Sequence, residues 1–258
     1  MNMTQNKKKI VWITGGGTGI GKELAKNFSD RNFRVIVSGR RLKKLKDVQK
    51  YNKTNIIPIS LDVSDHKKCK KVSDLILKKY KSIDIIVLNA ATYSPGSLEK
   101  INVIEIKKIV ETNILGPMNC FSPFLESMKK KRKGHLVFVS SPAGYRGLPG
   151  AGIYGVTKSA ITFLAETLKL EYDPYNIKVQ VVHPGFIKTP MTDKNTFDMP
   201  FIMSAKRAAD IITKNIFSKK FDIYFPKRLI LPMKLLQIIP FSIYSFLMRY
   251  FVKRKLNG

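Results

Sequence analysis

The apolar run Ile10-Val11-Trp12-Ile13 leads directly into Thr14-Gly15-Gly16-Gly17-Thr18-Gly19-Ile20-Gly21 and then into Glu23-Leu24-Ala25-Lys26-Asn27-Phe28, where apolar residues return every three to four positions. A buried strand, a glycine-crowded turn and a helix in that order leave few folds open. Glycine takes positive φ without strain and lets another backbone or a ligand come close. The helix that follows presents unpaired amides and the positive end of its dipole, so the whole unit suits a phosphate. Gly15 is expected to make the tight turn, Gly19 to admit a pyrophosphate to the backbone, and Gly21 to let the helix lie against the strand. An ordinary strand-to-helix turn needs no such run of glycines.

Further short apolar runs, Arg34 to Val37, Asn55 to Leu61, Asp84 to Leu88, Leu136 to Val139 and Lys178 to Val182, alternate with stretches of helical period such as Val72-Ser73-Asp74-Leu75-Ile76-Leu77. The alternation predicts an α/β fold with a doubly wound parallel sheet, a Rossmann-like three-layer arrangement. With 258 residues, 44% of them apolar, the chain is near the largest size that one core serves well. No repeat or low-complexity linker interrupts it. Residues 1–225 therefore read as a single dinucleotide-binding domain, and residues 226–258, where the composition changes, as a C-terminal helical extension.

The rest of the composition disfavours several functions. Cys69 and Cys120 lie far apart in the chain and give no disulfide framework, and residues 1–9 lack the apolar run of a secretion signal, so a reducing, cytoplasmic setting is expected. His66, His135 and His183 are each isolated, and no metal is expected. The formal charge of +29 invites a nucleic-acid or anionic-lipid reading. Lysines are spread over almost every segment, however, and the run Lys129 to Lys133 falls where cations complement a helix C-terminus. Nucleic-acid binding is not expected.

Tyr154 and Lys158 stand four residues apart in a segment that continues as a helix through Ile161-Thr162-Phe163-Leu164, so their side chains share a face. A free phenol titrates near ~10, too high for an efficient acid or base at neutral pH. A neighbouring ammonium favours phenolate and is expected to tune the group downward. Beside a dinucleotide turn, such a pair suits the interconversion of an alcohol and a carbonyl.

These motifs resemble the short-chain dehydrogenase/reductase family, whose glycine turn has the spacing T-G-x-x-x-G-x-G. The likeness continues in order through Asp62-Val63, Asn89-Ala90-Ala91, Asn113, Ser141, Tyr154 with Lys158, and Pro184-Gly185 to Thr189, and covers residues 8–225. One departure is Ala91, where the family usually has glycine. The resemblance implies cofactor contacts from Thr14, Gly15, Thr18, Gly19, Ile20, Gly21, Arg40, Asp62, Val63, Asn89, Ala90, Tyr154, Lys158, Pro184, Gly185, Ile187 and Thr189. It implies that Tyr154 donates the proton in reduction and that Lys158 also bonds the nicotinamide ribose. Ser141, at the family's spacing before Tyr154 and so preferred to Ser140, would hold the substrate oxygen, and Asn113 would support a water-linked proton path. Residues 190–203, carrying Met191, Phe197, Met199, Phe201 and Met203, correspond to a mobile lid over substrate in relatives.

An acidic residue ~20 positions past the glycines would bond a ribose 2′-hydroxyl and repel a 2′-phosphate. The second strand instead ends Val37-Ser38-Gly39-Arg40-Arg41, with Gly39 where NAD-selective relatives usually carry Asp. Arg40 can pair with phosphate and stack on adenine, so NADP(H) is the expected cofactor. Arg41 reads as the start of a solvated helix.

From Pro226 to Gly258 there are seven Lys/Arg and no Asp or Glu, set among Leu229-Ile230-Leu231, Leu235-Leu236, Ile238-Ile239 and Phe241 to Met248. Lys234, Pro240 and Arg249 break this stretch into pieces shorter than the ~20 residues of a spanning helix. Two short amphipathic helices hinged at Pro240 would suit peripheral contact with the cytoplasmic face of an anionic membrane. They could equally cover a sheet edge or form a homo-oligomer interface. The expected activity is hydride transfer between NADP(H) and a lipophilic ketone, aldehyde or secondary alcohol. Reduction of 3-oxoacyl groups in lipid synthesis, and a non-catalytic NADP-binding sensor or scaffold, stand as alternatives.

Overall fold

The computed structural model describes residues 8–94 and 102–256, with side chains up to residue 250. Its strands are β1 (Ile10–Thr14), β2 (Arg34–Gly39), β3 (Ile56–Ser60), β4 (Ile85–Leu88), β5 (Gly134–Val139), β6 (Ile177–Pro184), the short β7 (Ile187–Lys188) and β8 (Met203–Ser204), and β9 (Asp222–Phe225). Seven of them form a sheet in the order β3-β2-β1-β4-β5-β6-β9, every neighbouring pair parallel, while β7 and β8 pair with each other. The fold is the Rossmann-like doubly wound α/β arrangement expected from the alternation of runs.

Helices α1 (Gly19–Asp30), α2 (Leu42–Gln49), α3 (His66–Tyr80), α4 (Val103–Val110), α5 (Gly116–Lys131), α6 (Gly152–Tyr172) and α7 (Ala205–Asn215) flank the sheet. Side chains alternate between the faces of a strand, and here both faces are covered. Ile10, Trp12 and Ile36 pack on one side with Phe121, Phe124 and Ile161. Val11, Ile13, Val35 and Val37 pack on the other with Leu24, Phe28 and Ile212. Burial on two faces is why these strands read as continuous apolar runs. Trp12 is fully enclosed, and its indole nitrogen donates to Ser38 Oγ at 3.0 Å. Packing of α3 on α5 brings the free thiols of Cys69 and Cys120 within 3.9 Å, although 51 residues separate them.

The short β7 and β8 were not anticipated, nor was one strand of the main sheet, β9. Asp222-Ile223-Tyr224-Phe225 is only four residues long and carries no extended β-branched run. It pairs with β6 alone, at the sheet edge. From β9 the chain enters α8 (Lys227–Ile238) and α9 (Phe241–Leu256), which lie on either side of Pro240. The expected amphipathic pattern is not what these helices show. Ile230 and Tyr244 are buried against the domain, yet Leu231, Leu235, Ile238, Phe241, Ile243 and Phe246 are exposed on the other sides. Among the described residues no helix is long and apolar enough to cross a membrane.

The sheet order reverses between β1 and β4, so the loops after β1 and β4 diverge and leave a crevice at the carboxyl ends of the strands.

Candidate active site

A cavity of about 1030 Å³ occupies that crevice, walled by the loops that follow β1 through β6. Gly15 at φ +66° and Gly19 at φ +53° adopt backbone angles that side chains resist. A Cβ on Gly21 would lie 2.4 Å from the Gly15 carbonyl, and one on Gly19 would lie 3.0 Å from Thr189 Cγ2. The turn is braced from behind. Thr14 Oγ1 accepts from the backbone amides of Asn89 (3.0 Å) and Ala90 (3.1 Å), and Asn89 Nδ2 donates to the Thr14 (3.0 Å) and Gly15 (3.2 Å) carbonyls. The glycine cradle at the head of α1 has the shape and the free amides to receive a dinucleotide diphosphate.

Every residue expected to touch cofactor lines this cavity except Thr14 and Gly21, which shape the turn from outside the wall. Gly39, Arg40, Arg41 and Lys44 form one corner of it, with both arginines and Lys44 exposed. Arg41 precedes α2 and also lines the cavity, and Lys44 went unnoticed in the sequence; its one signal is its place in the first turn of α2. Asp62 also lines the wall, its Oδ1 accepting from Ser64 N (3.1 Å) and Ser64 Oγ (2.8 Å).

At the other end, Ser141 follows β5 and its Oγ accepts from Ala143 N at 3.2 Å. The same hydroxyl is hydrogen-bonded to the Tyr154 phenol, which stands in the first turn of α6. Lys158, one turn further on, donates to the Val139 carbonyl at 2.8 Å and sits 5.5 Å from the Tyr154 ring centroid. Ser140 points elsewhere: its Oγ donates to the Lys158 carbonyl at 2.9 Å. Tyr93, another residue overlooked in the sequence, packs edge-on against Tyr154 with centroids 4.9 Å apart. Its hydroxyl donates to Asn195 Oδ1 at 2.9 Å, tying the loop after β4 to the segment after β7. Of the expected lid residues, Met191 and Phe197 line the cavity and Met199, Phe201 and Met203 do not.

Asn113 lies behind the wall, in a π-helical turn (Glu111–Leu115) between α4 and α5. It is buried, accepts from Thr92 N at 2.7 Å, and donates to the Thr92 carbonyl (2.9 Å) and Thr157 Oγ1 (3.1 Å). Its amide thereby ties the loop after β4 to α6.

Electrostatics here run against the sequence expectation. Burial pushes the Tyr154 phenol up to about 12, with the Ser141 hydrogen bond pulling the other way. Burial likewise pulls Lys158 down to about 8. Desolvation is the largest influence on both groups. A lysine whose folded value lies below its unfolded one binds fewer protons when folded, so it costs stability below pH 8, and that cost fades as pH rises toward ~10.4. Lys158→Met should therefore stabilise the fold by about 2 kcal/mol at pH 7, after allowing for the lost bond to Val139. The gain should vanish near pH 10. Thermal melts across this range test it, and a variant that melts lower at pH 7 would refute the burial argument.

Residues 9–199 match the family model described as short chain dehydrogenase. An uncharacterized oxidoreductase of Myxococcus xanthus is 28% identical over 248 residues, 92% of this chain and 95% of that protein. The 3-ketodihydrosphingosine reductase of Mus musculus is 35% identical over 188 residues, 70% of this chain and 57% of that protein. Among solved structures, ElxO with NADP bound is similar at TM-score 0.75 and 29% identity, over 84% of this chain and 97% of that one. A short chain dehydrogenase/reductase from Burkholderia phymatum in complex with NAD shares the fold at TM-score 0.81 and 19% identity, over 90% and 94% of the two chains. A match running from β1 into the segment after β7, on the sheet order and crevice described above, makes this chain a member of the short chain dehydrogenase family, oxidoreductases that act on CH–OH groups.

Proposed function

We propose that the protein is an NADPH-dependent carbonyl reductase acting on lipophilic ketones or aldehydes. The observation that carries this reading is the Tyr154 hydroxyl, bonded to Ser141 and beside Lys158, in the cavity that the glycine turn also lines. A nicotinamide dinucleotide bound there would supply the hydride and, once oxidised, a positive ring that favours phenolate. Ser141 holds the substrate oxygen. Tyr154, protonated at neutral pH because burial raises it, gives its proton to that oxygen as negative charge develops. Lys158 then stabilises the phenolate and would bond the ribose of a bound dinucleotide, and Asn113, by fixing the loop at Thr92, supports the path along which the proton is replaced. Amides of the glycine turn would hold the diphosphate of a bound dinucleotide, and Ile187 and Thr189 would orient its carboxamide.

Arg40, Arg41 and Lys44, with no carboxylate at position 39, support NADP(H) over NAD(H). A Cβ at Gly39 meets nothing nearer than Leu45 Cδ2 at 3.8 Å, so a side chain fits there. Gly39→Asp is expected to shift the NADPH/NADH preference about 100-fold toward NADH by placing like charges together. Steady-state kinetics with both cofactors check it; a wild-type preference for NADH would end the assignment.

Leu148, Phe186, Met191 and Phe197 in the wall, and a relative named for reducing a keto group on dihydrosphingosine, support an apolar substrate. The exposed apolar residues of α8 and α9, next to Lys227, Arg228 and Arg249, support peripheral contact with an anionic bilayer. Exposed Val156, Phe163 and Leu170, a stripe along α6, offer a face to a second copy. Full-length protein should float with phosphatidylserine-containing vesicles, and Ile238→Glu/Phe246→Glu should not. Light scattering without lipid should give a multiple of 29.4 kDa for both. Equal flotation of the two proteins would remove the membrane reading.

A further inference from the structure

Between Ser141 and Tyr154 the chain makes a 3-10 turn (Pro142–Gly144) and then crosses residues 145–150 to reach α6. Leu148, Pro149 and Gly150 of this crossing wall the cavity. Little supports it from within: open space surrounds Gly147 and Gly150, with no atom within 4 Å of a Cβ built on either, and Gly150 sits at φ +79°. A segment with so few packing partners opens easily unless something else holds it.

The C-terminal helices hold it. Gln237 Nε2 of α8 donates to the Tyr145 carbonyl at 3.1 Å. The Tyr244 hydroxyl of α9 donates to the Gly147 carbonyl, and Tyr244 is buried in doing so. In the opposite direction Arg146 Nη1 donates to the Leu236 carbonyl and, at 2.8 Å, to that of Ile239. These belong to the end of α8, where main-chain acceptors lack helical partners. The Arg146 guanidinium also lies 4.2 Å from the centroid of the Tyr244 ring. One side chain thus caps α8, stacks on α9 and anchors the cavity wall.

A second connection goes deeper. Lys234 of α8 pairs with Asp222 of β9, whose other oxygen meets His183 Nδ1 at 2.8 Å. His183 Nε2 lies 3.1 Å from Thr162 Oγ1. Thr162 Oγ1 and Ser140 Oγ both donate to the Lys158 carbonyl, at 3.0 and 2.9 Å. The same helix therefore reaches both sides of the Tyr154–Lys158 turn.

We propose that the C-terminal extension is a positioning element of the active site, setting the substrate-facing wall at 148–150 through Arg146 and Tyr244. Both are positioning residues and neither touches the reacting atoms. The proposal rests on the reductase reading only for the kind of molecule that enters; the hold on residues 145–150 is independent of it.

The test uses full-length protein with NADPH, read by hydrogen exchange and by kinetics on straight-chain methyl ketones of increasing length. Arg146→Ala should raise exchange across 145–151 about tenfold, leave residues 10–39 as in wild type, and raise KM for the longer ketones about tenfold with kcat and the KM for NADPH little changed. Arg146→Lys, which keeps a cation and a donor, should recover part of both effects. Tyr244→Phe loses one hydroxyl and no packing, should give the same pattern at lower amplitude, and decides the matter if Arg146→Ala does not fold. Wild-type exchange over 145–151 in the variants overturns the proposal, as does raised exchange with unchanged ketone KM. If wild type reduces none of the ketones, the reductase reading fails and exchange alone decides whether the extension holds the wall.

Discussion

Tyr154→Phe is expected to cut carbonyl reduction by about 10²–10⁴-fold while leaving NADPH binding near its wild-type affinity. Phenylalanine keeps the ring that packs edge-on against Tyr93, and the substitution leaves the glycine turn untouched. What disappears is the hydroxyl that Ser141 bonds and that stands ready to protonate a substrate oxygen. Transition-state stabilisation should fall with kcat and kcat/KM in equal measure, since the proton moves only during the reaction. NADPH fluorescence titration and steady-state turnover separate the two quantities. A non-catalytic NADP-binding scaffold would show no turnover to lose, and a Phe variant that keeps wild-type turnover would remove Tyr154 from the mechanism.

Gly21→Ala should weaken NADPH binding by about 100-fold and destabilise the fold by about 1–3 kcal/mol. The added methyl would stand 2.4 Å from the Gly15 carbonyl and 2.7 Å from Asn89 Nδ2, both inside contact distance and both part of the brace behind the turn. The helix has to back away from β1, which swings its first amides off the diphosphate. Gly39→Ala is the control, because its methyl meets only ordinary contact at 3.8 Å. Calorimetric titration and thermal melts on both variants check the contrast. Wild-type affinity in Gly21→Ala would mean that close packing of α1 on the turn has no part in holding cofactor.

The central strands were legible because a parallel strand buried on both faces is apolar over most of its length, as in the runs Ile10 to Ile13 and Leu136 to Val139. β9 was not, because an edge strand of four residues needs only a neighbour to pair with, and that neighbour, β6, lies 38 or more residues back. The Ser140/Ser141 choice rested on spacing; in the fold the two hydroxyls face opposite ways, one toward the α6 backbone and one toward Tyr154. For the phenol, adjacency of a lysine suggested a lowered value, yet burial raises it, since the depth of a side chain depends on segments such as the Tyr93 loop that are remote in sequence.

The glycine turn, the strand and helix periods and the Tyr154–Lys158 spacing are constraints within a few residues of one another, which is why they could be read from the chain alone. The reach of α8 and α9 over residues 145–150, the packing of Tyr93 on Tyr154, and the meeting of Cys69 with Cys120 arise only when distant segments pack. Contacts of that kind are set by the geometry of a twisted sheet and its covering helices, and no local pattern encodes them.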